Sequence, residues 1–486
     1  MNNERLSHYI AGSWSTPPES EWAADINPSD ATQTLAQVPQ ADSTVVNLAV
    51  EAAQRASRSW RATAGPVRAE ILHRAANTLA GVRDHLGRVI ACEVGKPFTE
   101  AIQEVDRGVV ILRYFAEEAV HPMGEVIPAQ VAGSLQFTLR QPLGPIAVIS
   151  PWNFPLAIPL WKIAPALAYG NPVVWKPAET ASLTATRITE LFEQAGLPPG
   201  VLNLVLGQGS RLGSALVNHP LMRAVTFTGS DSVGMGIAAD AARHNIKYQL
   251  EMGGKNAALV LADADLDQAA RLIAAGAMRF AGQKCTATSR AIVVEEVREA
   301  FLARLLAQIR SLPVGPAIEE TSAVGPLISR EALEKACQYV EIGAREGSVL
   351  LGGHVLRSET YRQGFFLEPT VITDLTNDSA VVQEEIFAPL LAVQTARHLD
   401  EALELANSTA YGLSVSLFTC DINATLRYIQ EVECGMVRVN GDTTGVDPHA
   451  PFGGLRGSSS HSREQGPAAR EFFTEIKTIQ VNPVGV

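Results

Sequence analysis

Short apolar runs alternate with helical stretches along most of the chain. In the first half these runs lie at 146–150, 172–175, 201–206 and 224–227, with helices predicted at 182–195 and 210–218. In the second half they lie at 257–261, 291–294, 348–351 and 413–418, with helices predicted at 264–280, 296–312 and 330–346. Buried runs separated by helices are typical of parallel, doubly wound sheets. The pattern therefore predicts two α/β units that meet near residue 252.

Two other kinds of segment interrupt this alternation. Apolar residues at helical spacing over 45–60 and 68–93 predict helices early in the chain, with residues 42–43 as caps of the first. Residues 133–140 and 475–482 instead alternate with period two, as partly exposed strands do. Isolated strands of this kind need a partner sheet, which predicts an oligomerisation element.

The composition narrows the class of function. Lysine plus arginine is 39 and aspartate plus glutamate is 51, which gives a net charge of −12. This acid excess argues against a nucleic-acid binder and against docking on an anionic membrane, because both need clustered basic residues. The most apolar stretch, 154–175, is broken by Lys162 and four prolines, so it is not expected to span a membrane.

The cysteines indicate a reducing compartment. Their number is odd, and no CxxC pair occurs among Cys92, Cys285, Cys337, Cys420 and Cys434. Neither a disulfide framework nor a metal centre is expected from that pattern. The first ten residues lack a basic segment followed by an apolar run, so no signal peptide is predicted. We expect a cytoplasmic protein.

Three polar residues lie where predicted strands or helices end. Cys285 follows a predicted helix, and its thiolate would be a strong nucleophile if local charge lowered its pKa. Glu251 stands at a strand end before two glycines, where it could act as a general base. Asn153 follows the first strand and could donate to a developing oxyanion. The alternatives are an inert buried cysteine, an exposed strand-end acid and an asparagine that fixes a turn.

Two further segments have features of a nucleotide site. Lys176 and Glu179 follow the second strand, where a carboxylate can accept both hydroxyls of an adenosine ribose. Gly229 and Ser230 end a strand and open a helix, whose N-terminus would attract a phosphate. No GxGxxG is present, so the general dinucleotide fingerprint is not met. The alternative for Lys176 and Glu179 is a weak surface ion pair.

Seven short motifs together resemble the aldehyde dehydrogenase superfamily over essentially the whole chain. They are PWNFP at 151–155, KPAE at 176–179, FTGS at 227–230, EMGGK at 251–255, GQKC at 282–285, EEIFAP at 384–389 and PFGG at 451–454. Each motif is weak alone, but seven in the family's order form a specific signal.

The resemblance implies a covalent mechanism. Cys285 matches the nucleophile that would form a thiohemiacetal with the aldehyde. Its oxyanion would lie between the Asn153 side-chain amide and the Cys285 backbone N–H. Loss of hydride to nicotinamide would leave a thioester, and Glu251 matches the base that activates water to hydrolyse it. Splitting the oxidation into two covalent steps avoids the need for a hydrated aldehyde.

The resemblance also implies a dinucleotide site. The residues that match cofactor positions are Trp152, Lys176, Glu179, Gly229, Ser230, Glu385 and Phe387. Lys176 and Glu179 resemble the adenosine-ribose pair, Ser230 the pyrophosphate contact, and Glu385 the holder of the nicotinamide ribose. A glutamate at 179 would repel a 2′-phosphate, so NAD is favoured over NADP.

Two departures from the family pattern affect this prediction. Ala388 stands where the family usually has glycine, and alanine would be strained if that backbone needed a positive φ. After PFGG the family commonly has lysine, a variable residue, serine and glycine, whereas this chain has Leu455-Arg456-Gly457-Ser458-Ser459. The substrate-side loop is therefore less predictable.

The sequence offers one candidate for recognition of the substrate. Arg279, six residues before Cys285, resembles the carboxylate clamp of semialdehyde dehydrogenases, although it could instead neutralise a helix end. The second arginine of succinic semialdehyde enzymes is absent, and Trp161 stands there instead. The C-terminal run from residue 457 resembles enzymes of 2,5-dioxopentanoate. Trp161, Phe154 and Phe280 could alternatively line an apolar pocket for an aromatic or aliphatic aldehyde.

Other classes of function remain as alternatives. A Cys–His hydrolase would need a histidine near Cys285, and none of the ten histidines lies in the motifs. A thiol acyl-transfer enzyme would not need the base that Glu251 supplies. A non-catalytic protein on this fold would not need Cys285, Asn153 and Glu251 together.

The resemblance implies a function and boundaries for each of the two α/β units. We expect a Rossmann-like NAD(P)-binding domain at 1–123 and 143–252 and an α/β catalytic domain at 253–456. A protruding β-ribbon, built from 124–142 and 457–486, would make a homodimer or homotetramer. The partner is a small-molecule aldehyde.

Overall fold

The computed structural model describes residues 3–121 and 123–484. Residues 1, 2, 122, 485 and 486, which the predicted domain ranges include, lie outside the described residues. The strands are β1 (Glu4–Arg5), β2 (His8–Ile10), β3 (Ser13–Ser15), β4 (Glu21–Asn27), β5 (Asp30–Gln40), β6 (Val126–Ile127), β7 (Leu135–Pro142), β8 (Ile146–Ile149), β9 (Val173–Lys176), β10 (Leu202–Leu204), β11 (Ala224–Thr228), β12 (Lys247–Glu251), β13 (Ala257–Val260), β14 (Arg290–Val294), β15 (Ser348–Leu351), β16 (Thr370–Thr373), β17 (Leu390–Ala396), β18 (Tyr411–Gly412), β19 (Ser414–Phe418), β20 (Met436–Val439), β21 (Leu455–Arg456) and β22 (Thr474–Val481).

Helices follow most of these strands. The α-helices are α1 (Ser43–Ala62), α2 (Gly65–Gly81), α3 (Arg83–Val94), α4 (Phe98–Glu118), α5 (Ala157–Ala168), α6 (Ser182–Gln194), α7 (Gly209–Val217), α8 (Asp231–Arg243), α9 (Leu266–Met278), α10 (Arg298–Arg310), α11 (Arg330–Glu346), α12 (Ala380–Gln383), α13 (Leu399–Ala406), α14 (Ile422–Glu431) and α15 (Ala468–Phe473). In the described part of the chain, none of these helices is long and apolar enough to cross a membrane.

The first large sheet has the strand order β12-β11-β8-β9-β10-β2-β3. Its five strands from β8 to β12 run parallel, and β2 and β3 add antiparallel at one edge. All four apolar runs predicted in this region are strands of it. Since parallel strands end at the same edge, the residues that follow β8, β9, β11 and β12 are brought to one side of the sheet.

The second large sheet has the order β15-β16-β17-β14-β13-β19-β20. It is parallel except for β15, which pairs antiparallel with β16. The chain crosses between the two sheets over residues 252–256, where the predicted boundary lies. The prediction of two α/β units is confirmed.

The two segments with period-two alternation pair with each other. Strands β7 and β22 form an antiparallel ribbon from Leu135 opposite Val481 to Pro142 opposite Thr474, and β6 covers the other edge of β7. The small sheet β22-β7-β6 therefore leaves β22 at its edge. Apolar side chains on the ribbon, Leu135 and Ile476 among them, are exposed.

The N-terminal part differs from the sequence prediction. Strands β1 to β5 were missed. The first three have only two or three residues each, β4 is mostly exposed or half-buried, and the eleven residues of β5 do not alternate regularly between apolar and polar. The helix predicted over 68–93 is two helices, broken at Val82, whose backbone has φ −110° and ψ 16°. The predicted cap at the start of α1 is confirmed, since Asp42 accepts from the N–H groups of Thr44 and Val45 at 2.9 and 3.0 Å.

Candidate active site

Cys285 lies where two cavities meet. The first cavity, of about 220 Å³, is lined by residues that include Arg107, Phe154, Trp161, Thr286, Phe452 and Gln465. The second, of about 190 Å³, is lined by residues that include Trp152, Asn153, Gly229, Ser230, Glu385 and Phe387. Cys285 lines both. One thiol therefore faces a small chamber with both aromatic and charged side chains on one side and most of the predicted cofactor residues on the other.

A left-handed turn positions the Cys285 loop. Helix α9 ends at Met278, and Phe280, Ala281 and Gly282 then have φ values of 54°, 51° and 66°. A Cβ on Gly282 would lie 2.3 Å from the carbonyl oxygen of Ala388, so only glycine fits there. Left-handed backbone is unfavourable for phenylalanine and alanine and persists only where surrounding contacts impose it.

Two buried amides supply those contacts. Asn256 Nδ2 donates to the carbonyl oxygens of Cys285 and Ala287 at 2.7 and 2.8 Å. Gln283 Nε2 donates to Pro326 O at 3.1 Å, and its Oε1 accepts from the Ile328 N–H at 2.9 Å. Sequence reasoning missed both as positioning residues. The signal was present, because Gln283 lies inside GQKC and Asn256 directly follows EMGGK.

The surroundings of Cys285 favour the protonated form of its thiol. Burial raises the pKa of Cys285 to about 12, and the carboxylates of Glu385 and Glu251 add to the rise. The backbone N–H groups of Thr286 and of Cys285 itself lower the pKa, but less. Attack on a carbonyl therefore requires a proton acceptor or an added positive charge close to the sulfur.

Asn153 has the donor that an oxyanion would need. Its side chain is buried, and Nδ2 donates one hydrogen bond to Gln283 O at 3.2 Å. A carboxamide carries two N–H groups, so one is left for a second acceptor. Its Oδ1 has no hydrogen-bond partner among the described residues.

Glu251 ends β12 and is buried, which excludes the exposed strand-end acid. Its Oε2 accepts from Ser459 Oγ at 2.5 Å, and its Oε1 has no partner in the described part of the chain. Burial raises the pKa of Glu251 well above its usual range, and the nearby carboxylate of Glu464 adds to this, against smaller opposing effects of Ser459 and Lys162. A carboxylate with a raised pKa is a competent proton acceptor near neutral pH.

A buried polar network lies behind Glu251. Glu464 is in an ion pair with Lys162 and accepts from Trp161 Nε1 at 2.7 Å. Lys162 also donates to Thr226 Oγ1 at 2.9 Å. Sequence analysis gave none of Lys162, Glu464 and Ser459 a role in the site, since their contacts join parts of the chain that are far apart.

Ser459→Ala is expected to shift the pH dependence of the base. The Ser459 hydroxyl donates to the carboxylate and so stabilises its ionised form; without it the pKa of Glu251 rises further. A general base acts in its ionised form, so with Glu251 in that role the acidic limb of the kcat–pH profile is expected to move to higher pH. Ser462→Ala, whose hydroxyl has no partner among the described residues, is the control. If the acidic limb of the Ser459→Ala profile lies at the wild-type pH, ionisation of Glu251 does not govern turnover.

The adenosine end of the predicted cofactor site has unpaired polar atoms. Lys176 ends β9, and its Nζ lies 3.4 Å from Gly207 O. Burial lowers the pKa of Lys176 to about 8, partly offset by the charge of Glu179. Glu179 Oε1 is buried without a partner among the described residues. A pair of ribose hydroxyls would satisfy both side chains.

The phosphate end lies at the start of α8. Ser230 is the N-cap of this helix, is exposed, and makes no side-chain cap bond. A Cβ at Gly229 would lie 2.5 Å from the ring of Phe227, so the backbone here needs a residue without a side chain. The helix N-terminus and the free hydroxyl suit a pyrophosphate. These residues fit a dinucleotide.

The nicotinamide end adjoins Cys285. Glu385 Oε1 accepts from the Gly254 N–H at 2.9 Å, and burial raises the pKa of Glu385 to about 7. The Phe387 ring lies 5.7 Å from that of Trp152. The positive φ of this loop, 63°, falls on Phe387 and not on Ala388, so the expected strain at Ala388 is absent.

The loop 455–459 supports the base. Arg456 donates to Thr409 O at 2.9 Å and pairs with Glu433, and three residues later Ser459 reaches Glu251. None of these residues lines the first cavity. The prediction of a substrate-side loop is therefore corrected: the segment holds Glu251 in place.

The predicted substrate clamp is also corrected. Arg279 is exposed and lines neither cavity, because α9 ends before it and the left-handed turn carries the chain away. Arg107 on α4, which the sequence analysis did not single out, lines the first cavity instead. Phe154 and Trp161 line that cavity as predicted, whereas Phe280 is buried 6.3 Å from the Trp152 ring and lines neither.

In the part of the chain that the structure describes, no group of three acidic, histidine or cysteine side chains is arranged to hold a metal ion. A dinucleotide is the cofactor that the polar groups of the second cavity fit.

Comparison with known proteins gives consistent matches over the whole chain. The model of the aldehyde dehydrogenase family matches residues 14–479. An alpha-ketoglutaric semialdehyde dehydrogenase of Bacillus subtilis is 43% identical over 477 residues, 98% of both chains. A 2,5-dioxopentanoate dehydrogenase of Saccharolobus solfataricus is 37% identical over 97% of this chain and 98% of its own. The crystal structure of betaine aldehyde dehydrogenase from Staphylococcus aureus with NAD+ superposes with a TM-score of 0.95 at 31% identity, over 98% and 94% of the chains.

Proposed function

The chain belongs to the aldehyde dehydrogenase family, and from that premise we propose that it oxidises 2,5-dioxopentanoate, also called 2-oxoglutarate semialdehyde, to 2-oxoglutarate with NAD+. Aldehyde, NAD+ and water give carboxylate, NADH and two protons. The observation that carries the proposal is the position of Cys285 between a dinucleotide-compatible cavity and a small chamber with an unpaired arginine. The names of the relatives at 43% and 37% identity support the same substrate.

The charges of the chamber favour an anionic substrate. Glu100, Glu104 and Arg107 lie on one face of α4, but both acids are already paired. Glu100 lies 2.7 Å from Lys284, and Glu104 pairs with Lys96. Arg107 forms no ion pair within 4.0 Å among the described residues, although the charges of Glu104 and Asp447 act on its guanidinium from farther away. A planar guanidinium without a partner binds a substrate carboxylate well.

The chain's residues divide the reaction into two steps. The Cys285 thiol gives up its proton to solvent, Cys285 Sγ attacks the aldehyde carbon, and the alkoxide accepts hydrogen bonds from Asn153 Nδ2 and the Cys285 N–H. A bound NAD+ supplies the hydride acceptor, and Lys176, Glu179, Ser230 and Glu385 are the residues that would hold it. Glu251 then accepts a proton from water, which attacks the thioester and frees the acid.

The polar groups of the adenosine end favour NAD over NADP. Glu179 would accept from the ribose hydroxyls and would repel a 2′-phosphate. Lys176 alone does not outweigh this, because burial already lowers its pKa to about 8.

Arg107→Met is expected to lower kcat/KM for 2,5-dioxopentanoate about 10- to 100-fold, since hydrogen bonds to charged groups contribute about 1.5–3 kcal/mol. Turnover of pentanal, which has no carboxylate, stays at the wild-type rate. The measurement is NADH formation with both aldehydes. Arg279→Met is the matched control and changes neither value. Equal losses of kcat/KM for both aldehydes would show that Arg107 has a structural role and does not bind the substrate carboxylate.

Two alternative activities can be separated by the same assay. The ring of Phe452 lies 5.6 Å from that of Trp161, and with Phe154 they give the chamber an aromatic wall that suits an uncharged aldehyde. Better use of benzaldehyde than of 2,5-dioxopentanoate would favour that substrate class. A thiol hydrolase of the Cys–His type is disfavoured, because no histidine in the described residues lines either cavity.

We also propose a homodimer or homotetramer in the cytoplasm. Strand β22 leaves one edge of the ribbon unpaired, and β20 ends the second large sheet with Val437 and Val439 exposed. Exposed edges with apolar side chains are covered in stable proteins, here by a second copy of the chain. A reducing compartment keeps the Cys285 thiol available.

A further inference from the structure

Gln465 lies in the wall of the Cys285 chamber with an amide that the protein leaves unbonded. The residue is 1% exposed, and its Nε2 is buried without a hydrogen-bond partner among the described residues. Buried amide N–H groups are almost always paired in folded proteins. An unpaired donor in a substrate chamber therefore points to an acceptor on the ligand.

The backbone at Gln465 is held in an unfavourable conformation. Its φ is 60°, in the left-handed region, and it directly follows the bridge between Glu464 and Phe452, whose N–H···O distances are 2.7 and 2.8 Å. Glu464 turns towards Lys162 and Trp161, while Gln465 turns into the chamber. Such strain persists where neighbouring contacts impose it and concentrates at functional sites.

The proposed substrate has one polar group that the residues described so far leave without a partner. Its aldehyde oxygen meets Asn153 and the Cys285 N–H, and its carboxylate meets Arg107. The 2-oxo oxygen remains, and it can only accept hydrogen bonds. The free N–H of Gln465 is a donor in the same chamber.

We propose that Gln465 Nε2 donates to the 2-oxo group and so selects 2-oxo semialdehydes over semialdehydes that lack this oxygen. The inference rests on the proposed function, since it assigns a binding partner to the 2-oxo group of the proposed substrate. A site built to bond a polar group rejects the analogue without it, because its own donor then stays unpaired in the complex.

The test compares 2,5-dioxopentanoate with 5-oxopentanoate, which has the same chain length and carboxylate but no 2-oxo group. Wild-type enzyme gives a high ratio of the two kcat/KM values. Gln465→Met, similar in size but without a donor, lowers that ratio about 10- to 100-fold through the 2-oxo substrate alone. A global loss of packing would instead lower both values together.

Two further variants make the test robust. Gln465→Leu also removes the N–H donor and brings no new charge, so it lowers the ratio as well, and it serves where Gln465→Met does not fold. Gln54→Met changes an exposed glutamine on α1 that lines neither cavity, and it leaves the ratio at the wild-type value. Binding of NAD+ to each variant checks that the fold is intact.

The outcomes separate the inference from the proposed function. Wild-type preference for both carboxylated aldehydes over pentanal supports the proposed function by itself. If that preference holds but wild type uses 5-oxopentanoate equally well, or Gln465→Met and Gln465→Leu keep the wild-type ratio, the role of Gln465 is overturned. If pentanal is used as well as 2,5-dioxopentanoate, the proposed function fails first.

Discussion

Substituting Cys285 by alanine lowers kcat by at least about 10⁴-fold while NAD+ binding stays at the wild-type level. The thiol is the only nucleophile that lines both cavities in the described structure, and the alanine side chain cannot form the covalent intermediate. Alanine is smaller than cysteine and fits the same loop, so the dinucleotide cavity keeps its shape. Steady-state NADH formation and calorimetric titration with NAD+ measure the two effects.

Cys420→Ala is the matched control for this variant. Cys420 is exposed and lines neither cavity, so the substitution leaves both turnover and binding unchanged. A tenfold loss of activity corresponds to a rise of about 1.4 kcal/mol in the activation barrier. If Cys285→Ala loses no more than that, covalent catalysis at Cys285 is excluded.

Glu251→Gln is expected to separate the two halves of the reaction. Loss of a positioned base costs about 10²–10⁴-fold, and water attack on the thioester depends on that base more than thiol attack does. Mixing the variant with NAD+ and 2,5-dioxopentanoate gives at most one NADH per active site, followed by a slow steady state. Mass spectrometry of the quenched protein finds the acyl group on Cys285.

An exposed strand-end acid provides the comparison for Glu251. Glu295 follows β14 in the other sheet and is exposed, so Glu295→Gln keeps the wild-type rate without a burst. A Glu251→Gln enzyme that turns over linearly at the wild-type rate would assign the hydrolytic base to another group.

The pattern of apolar residues along the chain predicted the strands whose ends position the candidate site. The apolar runs before Asn153, Lys176 and Ser230 became parallel strands, and parallel strands bring their following residues to one edge of a sheet. The resemblance of the seven motifs to the aldehyde dehydrogenase family then predicted which residues surround Cys285. The short N-terminal strands lacked such a pattern, since their side chains are mostly exposed and other elements determine where they pair.

Contacts between distant parts of the chain were beyond sequence reasoning. Ser459 bonds Glu251 across 208 positions, and Trp161 bonds Glu464 across 303. The error at Arg279 has the same origin: spacing from Cys285 predicted a nearby side chain, but the left-handed turn reversed the chain. Arg107 was missed because an arginine on an amphipathic helix is ordinarily solvated, and only the paired state of Glu100 and Glu104 singles it out.

The position of Ser459, Glu464 and Gln465 near the C-terminus has a consequence for biosynthesis. Domains fold as units from the N-terminus while the ribosome is still translating, so the first sheet can form early. The nucleophile is then made long before the partners of its base, and β22 cannot complete the ribbon until the end of the chain has been synthesised. A nascent or prematurely terminated chain therefore carries the thiol without the residues that hold Glu251. We therefore expect a chain that ends before Ser459 to be inactive.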